Sequence, residues 1–130
     1  MKIKCNELKI SDSVMFLGQK EEAYKYYQIF DCLIFPSLYE GLGLVAIEAQ
    51  CSGLKCICSK NVPKEVDITG NVEFLSLEDD KSFWVNKIFE IVKENKRIDC
   101  SSLVSQNGYD IVVEAEILVS YYFDLLKEKI

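Results

Sequence analysis

The chain has 130 residues, the size of one ordinary domain, and 49% of them are hydrophobic, which excludes a disordered linker. Its formal charge of -6 argues against a nucleic-acid partner or an anionic membrane surface, both of which need clustered Lys and Arg. The sequence contains no histidine, so Ser-His and Cys-His catalysis and an imidazole general base are absent; carboxylates, backbone amides, hydroxyls or lysines must carry any chemistry.

Met1-Lys2-Ile3-Lys4 leads into polar sequence rather than a secretion signal. No apolar run approaches the roughly 20 residues of a spanning helix, so direct membrane insertion is not expected and the cytoplasm is the expected compartment. Residues 13–17 read as a short strand ending at Gly18, and residues 21–29 as a helix with Ala23, Tyr26, Tyr27 and Phe30 at helical spacing. Residues 32–35 form a continuous apolar run of buried-strand length, stopped by Pro36. A helix over 44–51 is closed by Gly53 in the place of a left-handed C-cap, and a strand follows over 54–59.

After a turn-rich stretch (61–71), residues 72–77 read as another strand and 80–93 as a helix buried through Phe83, Trp84, Ile88, Phe89, Ile91 and Val92. Residues 101–107 are a polar break, and a C-terminal helix runs over 109–128 with a broad apolar face packed, over at least its first half, on the chain's own sheet. Any part of that face left exposed would mark a partner surface. The alternation of strands and helices predicts one α/β domain, residues 1–130, built on a parallel sheet with right-handed crossovers.

Six cysteines, Cys5, Cys32, Cys51, Cys56, Cys58 and Cys100, fall mostly within apolar stretches and read as reduced. Cys56 and Cys58, two apart, share one face of a strand as small hydrophobes; with no histidine, no metal site is expected.

The informative segment is Phe35-Pro36-Ser37-Leu38-Tyr39-Glu40-Gly41-Leu42-Gly43-Leu44-Val45-Ala46-Ile47-Glu48. It leaves the C-terminal end of a buried strand and enters a helix, the position where open α/β sheets bind ligands. Gly41 and Gly43 either admit a close ligand, with the helix-start N–H groups and dipole receiving a phosphate, or merely shape the turn. Glu40 and Glu48 bracket the site. They either accept hydrogen bonds from sugar hydroxyls, or support the helix start and line its solvated face.

This segment, in which seven residues separate Glu40 from Glu48, resembles the signature of the family 4 retaining glycosyltransferases. The flanks match in order: Val14-Met15-Phe16-Leu17-Gly18, Phe30-Asp31-Cys32-Leu33-Ile34-Phe35-Pro36-Ser37, Ala49-Gln50-Cys51-Ser52-Gly53, Cys56-Ile57-Cys58-Ser59, Asn61-Val62-Pro63-Lys64-Glu65-Val66 and Asn71-Val72-Glu73-Phe74-Leu75. The resemblance covers most of residues 13–95 and implies a Rossmann-like parallel sheet flanked by helices, the C-terminal, donor-binding half of a two-domain GT-B enzyme. It implies a chain truncated at its N-terminus and a need for the missing N-terminal acceptor domain or a separate acceptor-domain subunit.

By this resemblance Glu40 is the catalytic candidate and holds the donor sugar, while Glu48 holds the ribose. Gly43 and Leu44 offer backbone N–H groups to the diphosphate, Gly41 permits the approach, and Ser37 and Leu42 complete the donor site. Gly18, after Leu17, lies near the nucleobase. The donor is a nucleotide-diphosphate sugar, UDP- or GDP-linked, with no cofactor and no dedicated metal site. The wording of the motif is similar to that of bacterial capsule and exopolysaccharide enzymes, some of which act on lipid-linked acceptors at the cytoplasmic membrane face. Family members also carry an Arg and a Lys upstream of this segment and an acceptor-side histidine; Lys2, Lys4 and Lys9 do not stand in the matching context. Weak donor binding and little turnover are therefore expected from these residues alone. The alternative is a non-catalytic module that binds a nucleotide-sugar or a partner protein. A response-regulator-like reading is set aside because its acidic pair, Asp79-Asp80, follows a late strand.

Overall fold

The computed structural model describes residues 1–94 and 96–127, so the last residue of the predicted C-terminal helix, Glu128, lies outside the described residues. Three strands, β1 (Leu33–Phe35), β2 (Cys56–Ser59) and β3 (Val72–Leu75), pair in parallel in the order β1-β2-β3. The helices are α1 (Lys2–Glu7), α2 (Ala23–Tyr27), α3 (Leu44–Cys51), α4 (Lys81–Glu94), α5 (Ser101–Val104) and α6 (Ile111–Lys127). The fold is α/β, as the alternating pattern predicts.

The middle strand shows why. All four residues of β2 are buried, as a strand covered on both faces requires. Cys56 and Cys58 turn to one face and join Ala46, Ile47 and Ala49 of α3, with Tyr27 of α2 and Val104 of α5. Ile57 turns to the other, where Leu75, Ile91, Trp84 and Ile88 cover it. The two thiols therefore share a face, and all six cysteines are free.

Several expectations are corrected. Residues 13–17 do not form a strand: Val14 is extended, but no ladder includes it among the described residues, and Met15 is 81% exposed. An extended backbone becomes a strand only when a neighbour takes up its N–H and C=O groups. The helix predicted over 21–29 shortens to α2, whose C-terminal carbonyls bond the Arg97 guanidinium instead of further helical turns. The polar break is in part helical. Asp99 Oδ1 accepts from the Ser101 N–H at 2.9 Å, and buried Val104 anchors α5 in the core. Polar residues at the start of a helix had masked one apolar anchor.

α1 has no counterpart in the sequence reading; it buries Cys5 alone. The C-terminal helix begins at Ile111, after a kink in which Gly108 takes φ 86°. None of its residues is buried, so its apolar face does not pack on the sheet. The kink redirects the chain onto the preceding Ser105–Tyr109 turn. Asp79 and Asp80 are structural: Asp79 Oδ2 accepts from the Ser76 N–H, and Asp80 Oδ1 from the Ser82 N–H at the start of α4.

Candidate functional site

The loop that leaves β1 is tied down from the end of β2. Ser59 Oγ donates to the Ser37 carbonyl, and Asn61 Nδ2 donates to the Leu38 carbonyl at 2.9 Å. Adjacent parallel strands thus end in one braced rim, with Leu38 and Tyr39 exposed upon it. Ser37 Oγ lies 2.9 Å from the Tyr39 carbonyl and 3.1 Å from Glu40 Oε2, so its one proton serves either acceptor and holds the carboxylate beside the loop. Ser59 and Asn61 escaped the sequence reading as site residues. Their position, Ser59 as the last residue of a buried strand and Asn61 just past it, is the available signal.

Gly43 is required twice over. It caps α3 with φ 89° and ψ 48°, a left-handed conformation that side chains disfavour. A Cβ there would also crowd the Phe35 ring and Val62 at 3.3 Å and touch the Glu40 stem at 3.4 Å. No side chain caps α3 among the described residues, so the amides of its first residues, Leu44 and Val45, take no side-chain hydrogen bond. Phe35, Glu40, Gly41, Leu42, Gly43, Leu44 and Val45 together line an open pocket of about 360 Å³. Gly41 differs from Gly43: its φ is not positive, and a Cβ would meet nothing within 4 Å. Its surroundings are open space.

Glu40, Gly41, Leu42, Gly43 and Leu44 are thereby brought together, with Ser37 bonded to Glu40. Glu48 is not in this pocket. It stands on the outer face of α3, where Tyr27 Oη donates to its Oε2 at 3.0 Å, and it lines a second depression with Tyr24, Gln28, Cys51, Ser52, Arg97, Asp99 and Ser101. Gly18 adjoins neither pocket; it has φ 67°, and a Cβ added there would meet nothing within 4 Å. In the sequence Tyr27 stands only at helical spacing with Ala23, Tyr26 and Phe30. Its contact to Glu48 crosses 21 residues and left no local trace.

Burial pushes the Tyr27 phenol up to about 12, with the Glu48 hydrogen bond and charge adding to the rise. Burial likewise raises the thiols of Cys32 and Cys58 to about 11, and raises that of Cys56. All four folded values lie above the unfolded ones, so the folded chain holds these protons more tightly. That stability is complete below about pH 9 and is lost as pH rises through about 12. The thermal midpoint should stay level from about pH 7 to 8.5 and fall progressively from about pH 9 to 11 when followed by circular dichroism. A midpoint unchanged at about pH 11 would show that these groups do not titrate against folding.

Among the described residues no group of three or more His, Cys, Asp or Glu is placed to hold a metal ion, and no helix is long and apolar enough to cross a membrane.

Residues 1–109 match the family described as glycosyl transferases group 1. The chain is 38% identical over 112 residues to a protein of Bacillus subtilis (strain 168) named "Putative glycosyltransferase EpsF", an alignment covering 84% of this chain and 29% of that protein. It is 28% identical over 135 residues to UDP-Gal:alpha-D-GlcNAc-diphosphoundecaprenol alpha-1,3-galactosyltransferase of Escherichia coli, covering 95% of this chain and 33% of the relative. To N-acetyl-alpha-D-glucosaminyl L-malate synthase of Bacillus anthracis it is 24% identical over 127 residues, covering 93% and 33%. The chain thus spans a third or less of the length of these relatives. With the parallel sheet and a rim pocket at the start of α3, the match over residues 1–109 makes the assignment: the chain belongs to the glycosyl transferases group 1 family.

Proposed function

We propose that these residues form the donor-binding domain of a retaining glycosyltransferase that transfers a sugar from a nucleotide-diphosphate sugar to a glycan or lipid-linked acceptor in polysaccharide biosynthesis. The observation that carries the reading is the juxtaposition of Glu40 with Gly43 and the uncapped start of α3 around one pocket at the strand ends. A carboxylate there suits sugar hydroxyls, whereas the backbone amides of Gly43 and Leu44 and the helix dipole suit a diphosphate. As the bond to the leaving diphosphate breaks, charge grows on its oxygens, and fixed amides stabilise that charge without reorganising. Glu48 serves the ribose. Gly41 leaves room for the ligand's approach, and Ser37 holds Glu40 in place.

The lipid-linked and exopolysaccharide aspects draw on the names of the relatives in Escherichia coli and Bacillus subtilis. The reading includes an acceptor-binding domain, in the same polypeptide or another, that closes the opposite side of the cleft, and action in the cytoplasm with no cofactor beyond the donor. A non-catalytic nucleotide-sugar-binding module is the second reading. It has the same pocket to its credit and differs in the absence of turnover once an acceptor domain is supplied.

Calorimetric titration of the chain with UDP and GDP tests the site. Saturable binding of one of them should weaken about tenfold to a hundredfold in Glu48→Ala, the scale of a hydrogen bond to a charged group. Glu40→Ala should leave the free nucleotide bound nearly as before but reduce affinity for the nucleotide sugar. Absence of binding at millimolar nucleotide to the folded chain would reject the donor-site reading.

A further inference from the structure

We infer that Tyr27 is a positioning residue for Glu48, its hydroxyl holding one carboxylate oxygen so that the other is presented to the ribose of the donor. The inference rests on the donor-site reading above and adds to it a residue outside the motif that decides how well the site works.

Tyr27 is fixed from three directions. Its side chain is 7% exposed and belongs to the core shared with Ala46, Ile47 and Ala49. Its ring meets Phe30 edge-on, with centroids 6.5 Å apart and planes at 73°. Its carbonyl accepts from Arg97 Nη1 at 3.0 Å, and the same guanidinium bonds the carbonyls of Gln28 and Phe30. A side chain so held has one place for its hydroxyl, and that hydroxyl donates to Glu48 Oε2 at 3.0 Å.

Glu48 itself is exposed on the helix face. An unrestrained glutamate there samples many rotamers, and a ligand that fixes it must overcome that entropy. A bond from a rigid donor removes much of the freedom beforehand, which is preorganisation of a binding group. Oε1 has no hydrogen-bond partner among the described residues and keeps its lone pairs for ligand hydroxyls. Tyr27 does not need to touch the ligand to matter. A purely structural role, tying α2 to α3, would use the same bond but would be indifferent to what the ligand carries on its ribose.

The test compares the chain with Tyr27→Phe, Glu48→Ala and the double variant by titration with UDP and GDP and with their 2′,3′-dideoxy counterparts, the unfolding midpoint of each protein being checked first. Tyr27→Phe should lose roughly tenfold in affinity for the binding nucleotide, the scale of one hydrogen bond to a charged group. It should lose nothing for the dideoxy form, and nothing further in the Glu48→Ala background. An equal loss on both ligand forms would assign Tyr27 a structural role and overturn the inference. Full affinity in Tyr27→Phe while Glu48→Ala weakens binding would overturn it too, leaving the donor site intact. No binding by the folded parent chain would overturn both. A second readout needs no ligand: in Glu48→Gln the Tyr27 ring, followed by NMR, should titrate at lower pH than in the parent, and an unmoved titration would show that the two groups are not coupled.

Discussion

Gly53→Ala should be among the most damaging single substitutions in the chain, lowering stability by about 3–5 kcal/mol in urea unfolding. Gly53 follows α3 with φ 69°, where any other residue pays a left-handed strain of about 1–2 kcal/mol. The larger part is steric. An added Cβ would lie 2.1 Å from the Ile98 carbonyl oxygen and 2.8 Å from its carbon, and these backbone atoms cannot rotate away as a side chain would. Moving Ile98 also moves Arg97, whose guanidinium holds the last carbonyls of α2. Gly18→Ala is the comparison, because Gly18 has φ 67° and nothing within 4 Å. It should cost only the conformational strain, about 1–2 kcal/mol. Equal losses in the two variants would mean that the crossing of residues 97–98 over Gly53 contributes nothing.

Gln50→Leu should cost about 2–4 kcal/mol, the sum of several stranded partners offset by added apolar volume. Gln50 is fully buried and uses its whole amide. Nε2 donates to the carbonyls of Ala46 at 3.0 Å and Val66 at 2.7 Å, while Oε1 accepts from the Thr69 N–H at 3.2 Å and hydroxyl at 2.9 Å. The side chain thereby substitutes for a strand or helix in satisfying the turn between β2 and β3. Gln50→Glu should be worse near neutral pH, since an ionised carboxylate would be buried against two carbonyl oxygens. Burial would raise the introduced group's folded pKa above its unfolded value of about 4.3, so the added penalty should vanish below about pH 4 and grow as pH rises. Urea midpoints of the three proteins at about pH 4 and about pH 7 check this. A Gln50→Glu deficit independent of pH would refute the assignment of the loss to buried charge.

The candidate site was unevenly legible. The segment from Phe35 to Glu48 carried its own signals: a strand stopped by Pro36, a glycine at the helix start and carboxylates on either side. Gly43 was readable as a turn-shaping glycine because its left-handed conformation is a local property of the chain. Gly41 looked equivalent and is not, since its φ is not positive and its surroundings are empty. The supports of the site were hidden. Ser59 and Asn61 brace the loop from 22 and 23 residues away, and Tyr27 reaches Glu48 from 21. Hydrogen bonds of that span leave no periodicity or motif to read.

The same division holds for the fold. Burial pattern and punctuation are local, so the sequence by itself determined the parallel α/β alternation, the shared face of Cys56 and Cys58, the left-handed Gly53 and the motif at the rim. Whether an extended segment becomes a strand depends on a partner's free edge, and only the tertiary structure decided that residues 13–17 stay unpaired. Only the tertiary structure turned part of the polar break into α5, through buried Val104, and swung α6 away at Gly108 with no residue of that helix buried. Amphipathic periodicity says that a helix has an apolar face; what covers the face depends on where the chain turns before it.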